Sequence, residues 1–207
     1  MPRPNKPAPE NIFSFFRNTA SSRPESVALV NGQFHLTYSE LATKAGRLAE
    51  HLQQNGITSG SNVGLCLERS SELIISVLSI LQSGAAYVPI DPMYPTERIA
   101  IMLEDAIPPV VITDRAHAHL FPSSAKLLLI DETDLATGAV FQGQSPATPA
   151  DLCYILFTSG STGRPKGVAM HHAPMINLIQ WQLRTSVLGH GDKTLQFAPI
   201  SFDVSFQ

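Results

Sequence analysis

Apolar side chains recur along this chain at two alternating spacings, one typical of helices and one typical of buried strands. Residues 37–55 carry a helical stripe formed by Leu41, Ala45, Leu48 and Leu52. Short apolar runs with the length of buried strands occupy residues 63–67, 86–90, 110–113 and 127–130. Helical patterns over 70–81 and 96–105 separate the first three runs. Strand and helix in alternation predict a parallel sheet with helices on its faces, and therefore an α/β fold.

Turn and cap residues set the limits of the elements in the first half. A first helix is predicted over 11–22, and Asn31-Gly32 between two extended runs predicts a β-hairpin, because glycine tolerates positive φ. Hydroxyl side chains that can cap the two following helices precede them, and a glycine follows each helix as a stop signal. The capping candidates are Thr37 or Ser39 and Ser70 or Ser71, and the stops are Gly56 and Gly84.

The second half begins with a stretch of different composition, residues 133–150, which is rich in Gly, Pro, Ser and Thr. That composition predicts a surface loop. Between 113 and 127, residues 115–120 make a short helix at best. The elements predicted after the loop are a strand at 152–156, an extended run at 168–170, a helix at 174–188, a strand at 194–198 and the start of a strand-to-helix turn at 200–207.

Composition and charge exclude several classes of function. The 207 residues carry a formal net charge of −3, which gives no electrostatic footprint for nucleic acid or an acidic membrane surface. The most apolar run, residues 73–81, is too short to cross a bilayer. Cys66 and Cys153 lie in apolar runs and are predicted to be buried thiols of a reducing compartment. Residues 1–10 lack an apolar signal region and are predicted to be a disordered lead-in, so we expect a soluble, cytoplasmic protein.

The chemistry of the chain is concentrated in residues 157–167, which read Phe-Thr-Ser-Gly-Ser-Thr-Gly-Arg-Pro-Lys-Gly after the predicted strand. Glycines let backbone N–H groups converge, and the hydroxyls and cations beside them suit a polyanion such as a nucleotide triphosphate. The spacing is not that of a Walker A loop, since no glycine stands directly before a Lys-Ser or Lys-Thr pair. A mobile Gly/Ser linker is the alternative, and the preceding strand and the Pro165-Lys166-Gly167 end argue against it.

Residues 158–167 resemble the phosphate-binding signature of the adenylate-forming, or AMP-binding, enzymes. Two further stretches, 36–41 and 81–98, resemble core motifs of the amino-acid adenylation domains of nonribosomal peptide synthetases. Both read as fold scaffolding, a helix start and a glycine stop followed by a strand and a proline turn. One position departs from the family pattern: Phe157 stands where most adenylation domains have tyrosine, which removes a hydroxyl and keeps the ring.

The resemblance implies roles for individual residues of the loop. Thr158, Ser159, Ser161 and Thr162 should contact the β- and γ-phosphates of ATP, together with the glycines Gly160 and Gly163. Thr158 is also expected to help hold Mg²⁺. Lys166 should assist electrostatically near the phosphates, and it is not the catalytic lysine of the family.

The end of the chain carries the candidate substrate site. Phe202-Asp203-Val204-Ser205 resembles a family motif whose Asp pairs with the α-ammonium group of an amino-acid substrate. On the residue alone, N-capping of a following helix is the favoured role of Asp203, and the family motifs around it favour the substrate role instead. Val204 and Gln207 match two further pocket positions, and this opening is one associated with proline activation.

Histidines offer a weaker metal hypothesis. Adjacent residues such as His171 and His172 point in different directions, and no Cys or carboxylate accompanies them, so a metal pair is disfavoured. For His172 we expect capping or packing at the start of the next helix. His117 and His119 are predicted to be solvated on a short helix.

The resemblance as a whole implies that residues 11–207 are the N-terminal portion of an AMP-binding adenylation domain. The implied function is activation of an amino acid with ATP and Mg²⁺, followed by transfer to the phosphopantetheine thiol of a carrier protein. The later family motifs are absent, so this chain alone is predicted to be inactive. Two alternatives stay open: an acyl- or aryl-acid ligase, and a non-catalytic truncated remnant.

Overall fold

The computed structural model describes residues 10–159, 164–187 and 191–202. Within them the chain forms five α-helices and eight β-strands. The helices are α1 (Phe13–Ser22), α2 (Tyr38–Gln54), α3 (Ser71–Gln82), α4 (Thr96–Ala106) and α5 (His172–Thr185). The strands are β1 (Val27–Asn31), β2 (Phe34–Thr37), β3 (Asn62–Leu65), β4 (Ala86–Pro89), β5 (Val110–Thr113), β6 (Leu127–Leu129), β7 (Leu152–Thr158) and β8 (Lys166–His171).

Six of these strands form one sheet in the order β6-β5-β3-β4-β7-β8. All neighbours are parallel except β7 and β8, which are antiparallel. The hairpin β1-β2 forms a separate two-stranded sheet. The predicted α/β fold with a largely parallel sheet is therefore confirmed.

The two faces of the sheet bury different side chains because successive strand residues point to opposite sides. Val63, Leu65 and Tyr87 face the cluster formed with α1, α2 and α3. Val88 and Val111 face a second cluster, which is formed with α4. Cys66 and Cys153 lie in these two different clusters as free buried thiols, and burial raises the pKa of each to about 12.

The starts of α2 and α3 follow the capping signals of the sequence. Thr37 accepts from the backbone N–H of Glu40 at 3.2 Å, and the Glu40 carboxylate accepts from the Thr37 N–H at 2.8 Å, which completes a capping box. Ser70 accepts from the N–H of Leu73 at 3.1 Å. Of the two pairs of candidates, Thr37 and Ser70 are the caps.

Two predictions for the later part of the chain were wrong in detail. The fifth helix begins at His172, two residues earlier than expected, because β8 runs directly into it. Residues 194–198 are not a strand. A strand needs a hydrogen-bonded neighbour, and here Leu195 and Phe197 are more than four-fifths exposed instead of packed on a sheet. The expected turn at 200–207 lies mostly outside the described residues, as do residues 1–9.

The connections place a topological switch in the middle of the sheet. From β3 the chain passes through α3 to β4 on one side, and from β4 it passes through α4 to β5 on the other side. Helices α3 and α4 therefore lie on opposite faces, and a crevice opens at the carboxyl ends of β3 and β4. Strand β7 is parallel to β4, so its carboxyl end lies at the same edge. None of the described helices has the length and apolar character needed to span a membrane.

Candidate functional site

The loop with the candidate phosphate ligands is the connection of the β7-β8 hairpin. Thr158, the last residue of β7, is paired in register with Lys166, the first residue of β8. The Thr158 hydroxyl donates to the Lys166 carbonyl oxygen at 3.5 Å. Both side chains and that of Ser159 are exposed, so their polar groups are available to a ligand at the carboxyl edge of the sheet.

Below these exposed groups the hairpin is tightly packed. Phe157 is only 5% exposed and belongs to the cluster formed with α4. It is in register with Gly167, where a Cβ would lie 3.3 Å from the Phe157 ring and 3.1 Å from Ile155. The ring that replaces the family tyrosine is thus a buried packing group, and Gly167 gives it room.

Helix α4 contacts both ends of the loop. At the first end, the Arg98 guanidinium donates to the Phe157 carbonyl oxygen at 3.3 Å. At the second end, Arg164 forms ion pairs with Asp105 at 2.8 Å and with Glu104 at 3.6 Å. Neither contact was predicted from the sequence, although Arg98 stands in the second adenylation-type motif, because that motif was read as scaffolding only.

The three cations around the loop differ in electrostatic state. Arg164 is paired with two carboxylates. Among the described residues, neither Lys166 nor Arg98 has a carboxylate within ion-pair distance. The charges of Lys166 and Arg98 therefore make the electrostatic potential positive where the loop joins β7 and β8, which suits an anionic ligand.

A cavity of about 410 Å³ lies at the carboxyl ends of β3 and β4, the position that the switch in topology favours for a ligand. Its wall combines apolar and charged side chains with the segment that leads to the predicted substrate motif. The lining residues that carry this description are Leu67, Arg69, Asp91, Met93, Ile200 and Ser201.

Several candidate residues lie outside the described parts of the chain. They are Gly160, Ser161, Thr162 and Gly163 of the loop and Asp203, Val204 and Gln207 of the substrate motif. Phe202, the last described residue, is about half exposed.

The histidines have mostly structural surroundings. His172 is fully buried at the start of α5, and its Nδ1 accepts from the Ile12 N–H at 3.2 Å, which confirms the expected packing role. Burial lowers the pKa of His172 to about 4. His171 Nδ1 lies 2.6 Å from the Ala150 carbonyl oxygen. His119 is exposed as expected, whereas His117 is half-buried against Asp114, with 2.7 Å between Nδ1 and Oδ1, so its prediction as solvated was wrong.

The residues present fit Mg²⁺ only as a partner of bound phosphates. Within the described ranges, no three His, Cys, Asp or Glu side chains are placed to hold a metal ion. Mg²⁺ prefers oxygen ligands and is commonly held by one or two protein groups together with substrate phosphates and waters. The exposed Thr158 hydroxyl fits such a single protein ligand.

Comparison with protein families matches residues 16–207 to the AMP-binding enzyme family. Two linear gramicidin synthase proteins of Brevibacillus parabrevis are similar to this chain, one 40% identical over 199 residues and the other 43% identical over 189 residues. These matches cover 95% and 90% of this chain but only 3% and 4% of the two synthases.

Solved structures give the same result. A crystal structure of the nonribosomal peptide synthetase FmoA3 with bound AMPPNP has a TM-score of 0.88 and 30% sequence identity to this chain. The match covers 97% of this chain and 21% of that one. Another form of FmoA3, with bound alpha-methyl-L-serine-AMP, has a TM-score of 0.87 and 31% identity, and that match covers 98% of this chain and 23% of that one. This chain belongs to the AMP-binding enzyme family.

Proposed function

We propose that this chain is the phosphate-binding portion of an adenylation domain that activates an amino acid with MgATP. The single observation that carries the proposal is the end of the β7-β8 hairpin, where the exposed Thr158 and Ser159 hydroxyls lie beside the Lys166 ammonium at the carboxyl edge of the sheet. Lys166 has no carboxylate partner among the described residues. Hydroxyls and a cation at that place match the β- and γ-phosphates of a nucleotide. The similar FmoA3 structures are of a nonribosomal peptide synthetase, one of them with bound alpha-methyl-L-serine-AMP, which supports an amino acid as the second substrate.

In the proposed reaction an oxygen of the amino-acid carboxylate attacks the α-phosphorus of ATP. A new P–O bond forms to the carboxylate, the bond to the β-phosphate oxygen breaks, and pyrophosphate leaves. The products are aminoacyl-AMP and pyrophosphate. Because the carboxylate is itself the nucleophile, the protein needs to position the reactants and neutralise charge.

The residues of the chain divide these tasks. Thr158, Ser159 and the loop residues Ser161 and Thr162 would donate to the β- and γ-phosphate oxygens, with the Gly160 and Gly163 amides beside them. Lys166 would stabilise the charge that builds up on the departing pyrophosphate. Mg²⁺, held by Thr158 and the phosphates, would neutralise further phosphate charge.

On the substrate side, we infer that Asp203 binds the α-ammonium group of the amino acid, with Val204 and Gln207 lining the pocket. The cavity wall at Ile200 and Ser201 supports this, since it brings the chain to within two residues of Asp203 at the same sheet edge. A carboxylate–ammonium pair of this kind favours binding more in a partly buried pocket than on the surface, because less water screens it. Proline is our first candidate substrate.

The second step would transfer the acyl group to a carrier protein. There the phosphopantetheine thiolate attacks the acyl carbon, a C–S bond forms, and AMP leaves with the electrons of the broken C–O bond. We place both steps in the cytoplasm, and the two free buried thiols support a reducing compartment.

We also infer that residues 11–207 are the N-terminal part of the adenylation domain and that these 207 residues alone are inactive. In support, the chain spans 21% of the FmoA3 chain that it matches. Amino-acid-dependent exchange of pyrophosphate into ATP by the isolated 207-residue polypeptide would contradict this inference.

The proposed function is tested by the same exchange assay on the gene product that contains this chain, with a panel of amino acids that starts with proline. Exchange that depends on one amino acid is the expected result. Absence of exchange with every amino acid, together with exchange that depends on a carboxylic acid lacking an amino group, would favour an acyl- or aryl-acid ligase. Absence of exchange with any acid would favour a non-catalytic remnant.

Asp203→Ala separates the first two outcomes at the level of one residue. If Asp203 binds the ammonium group, the variant loses exchange with the amino acid by roughly 10²-fold, as expected for a charged hydrogen bond worth a few kcal/mol. Its exchange with the desamino analogue of the same acid should not fall. Equal loss with both acids would contradict the assigned role.

A further inference from the structure

Helix α4 contacts both ends of the phosphate loop, and its Arg98 contacts the residue directly before Thr158. Its Nη2 donates to the carbonyl oxygen of Phe157 at 3.3 Å. Phe157 is the residue directly before Thr158, so this carbonyl belongs to the last peptide unit before the hydroxyl ligands. Holding that peptide unit restricts the direction in which Thr158 and Ser159 point.

The guanidinium of Arg98 is itself fixed in place. Its central carbon lies 4.3 Å from the centroid of the Tyr94 ring, in cation–π geometry. Tyr94 packs against the cluster that includes Phe157 and the buried face of α4. The Tyr94 ring and the Phe157 carbonyl oxygen hold the guanidinium from two directions. The Nε atom of Arg98 is buried and has no hydrogen-bond partner among the described residues.

The second end of the loop is attached to the same helix. Arg164 pairs with Asp105, which stands seven residues after Arg98 and therefore lies on the same side of α4, since two helical turns span about seven residues. This pair is exposed, and exposed ion pairs contribute little. The half-buried Arg98 contact is the stronger candidate for control of the loop.

We propose that Arg98 is a positioning residue of the phosphate site, which acts by holding the Phe157 carbonyl oxygen and thereby orienting the Thr158 and Ser159 hydroxyls toward the nucleotide. The consequence for nucleotide chemistry rests on the proposed adenylation function, whereas the effect on the backbone does not. Arg98 does not itself touch the reacting atoms in this proposal.

The test compares Arg98→Met and Arg98→Lys in the gene product that contains this chain. Arg115→Met is the matched control. Arg115 is an exposed arginine that pairs with Glu132, and both residues lie outside α4 and the β7-β8 hairpin. Hydrogen–deuterium exchange is measured for peptides that cover residues 155–159, and KM and kcat are measured for MgATP and for the amino acid.

Loss of the carbonyl contact in Arg98→Met should speed amide exchange at 155–159 several-fold. It should also raise KM for MgATP about tenfold and lower kcat, while KM for the amino acid stays within twofold. Lysine keeps a donor and a cation over the Tyr94 ring, so Arg98→Lys should recover part of both effects. Arg115→Met should change neither.

Unchanged hydrogen–deuterium exchange at residues 155–159 in Arg98→Met would overturn the proposal. Equal increases in KM for MgATP and in KM for the amino acid would also overturn it. If Arg98→Met does not fold, Tyr94→Leu tests the same contact by removing the ring that packs against the guanidinium. It should speed hydrogen–deuterium exchange at residues 155–159 and raise KM for MgATP, each by a smaller factor than Arg98→Met. A wild-type protein without adenylation activity would contradict the proposed function alone. Hydrogen–deuterium exchange at residues 155–159 would still decide whether Arg98 holds the backbone there.

Discussion

The two loops on either side of β7 have similar compositions, but their described residues have very different surroundings. Residues 133–151 precede the strand and residues 159–165 follow it, and both are rich in Gly, Ser, Thr and Pro. In the first loop, backbone carbonyls accept from side chains of the helical layer. Arg47 donates to the Leu135 oxygen at 2.8 Å, and Gln82 donates to the Phe141 oxygen at 2.9 Å.

At the second loop, polar side chains at its first residue and in the two flanking strand residues are directed outward. Thr158, Ser159 and Lys166 are exposed, and the attachment to α4 is made by Arg98 and Arg164. Composition therefore identifies a loop, whereas the partners of its polar groups decide whether the loop supports the fold or faces a ligand. Changes in the second loop should alter activity, and changes around the first should alter stability.

The largest effect is expected for Lys166→Ala. Removal of the cation should lower kcat/KM for pyrophosphate exchange by about 10²–10³-fold, as for loss of one preorganised electrostatic group. The free energy of unfolding should change by less than about 0.5 kcal/mol, because the side chain is exposed. Lys126→Ala, at an exposed position directly before β6, is the control. A loss below tenfold in the exchange assay would remove Lys166 from the phosphate site.

The next effect is a loss of stability in Asn11→Ala. The buried Asn11 amide donates to the Ala147 oxygen at 2.9 Å and its carbonyl accepts from the Ser14 N–H at 3.0 Å, so the variant leaves buried groups without partners. We expect about 2–3 kcal/mol less stability in urea unfolding. Asn18→Ala, at an exposed position within α1, is the control and should stay within about 0.5 kcal/mol of the wild type. Equal stability of the two variants would mean that the first loop is not anchored through Asn11.

A smaller effect is expected at Gly46, where α2 meets the first loop. A Cβ there would lie 2.7 Å from Val140 Cγ1 and 3.0 Å from the Phe141 oxygen. Gly→Ala inside a helix ordinarily stabilises by about 1 kcal/mol, but this contact should reverse the sign and cost about 1–2 kcal/mol. The double variant Gly46→Ala/Val140→Ala should regain part of the loss in thermal unfolding. If Gly46→Ala alone is more stable than the wild type, Val140 and Phe141 can move away from the added Cβ at little cost.

The smallest effect concerns pH and the end of the first loop, where the backbone N–H of His172 donates to the backbone oxygen of Asp151 at 3.0 Å. Burial lowers the pKa of His172 from 6.5 to about 4. Between these values the unfolded chain binds the proton more readily, so stability falls as pH falls from about 6.5 toward 4. Asp151 and Asp134 also have lowered pKa values, and their contribution is lost only below about pH 4.

Unfolding at pH 7 and pH 5.5 measures this contribution. The wild type should lose about 1 kcal/mol over that interval through His172, and His172→Gln should lose that much less. The exposed His119→Gln is the control and should keep the wild-type slope. A wild-type slope in His172→Gln would assign the pH dependence to other groups.

Most of the fold follows from local pattern. The hairpin at Asn31-Gly32, the caps at Thr37 and Ser70 and the strand at 110–113 were predicted within a residue or two, because caps, turns and apolar periodicity are written in neighbouring residues. The strand predicted at 194–198 was wrong for the opposite reason. Its alternating side chains are compatible with a strand, but a strand exists only when another strand supplies its hydrogen bonds.

The same division holds for the site. The sequence by itself determined the chemistry of the phosphate loop, since glycines, hydroxyls and Lys166 in one short run match a polyanion wherever the run is placed. It also determined membership of the AMP-binding family. It did not reveal Arg98 or Asp105 as partners of the loop, because about 59 residues separate each from its contact.

Only the tertiary structure decided which polar groups are paired within the protein and which are available to a ligand. Parallel strands β4 and β7 bring α4 beneath the hairpin, so that Arg98 binds a backbone oxygen and Arg164 is neutralised. Lys166 then stands without a carboxylate partner among the described residues. Composition and spacing do not carry this information, because a charge is free or paired according to what the fold places within a few ångströms of it.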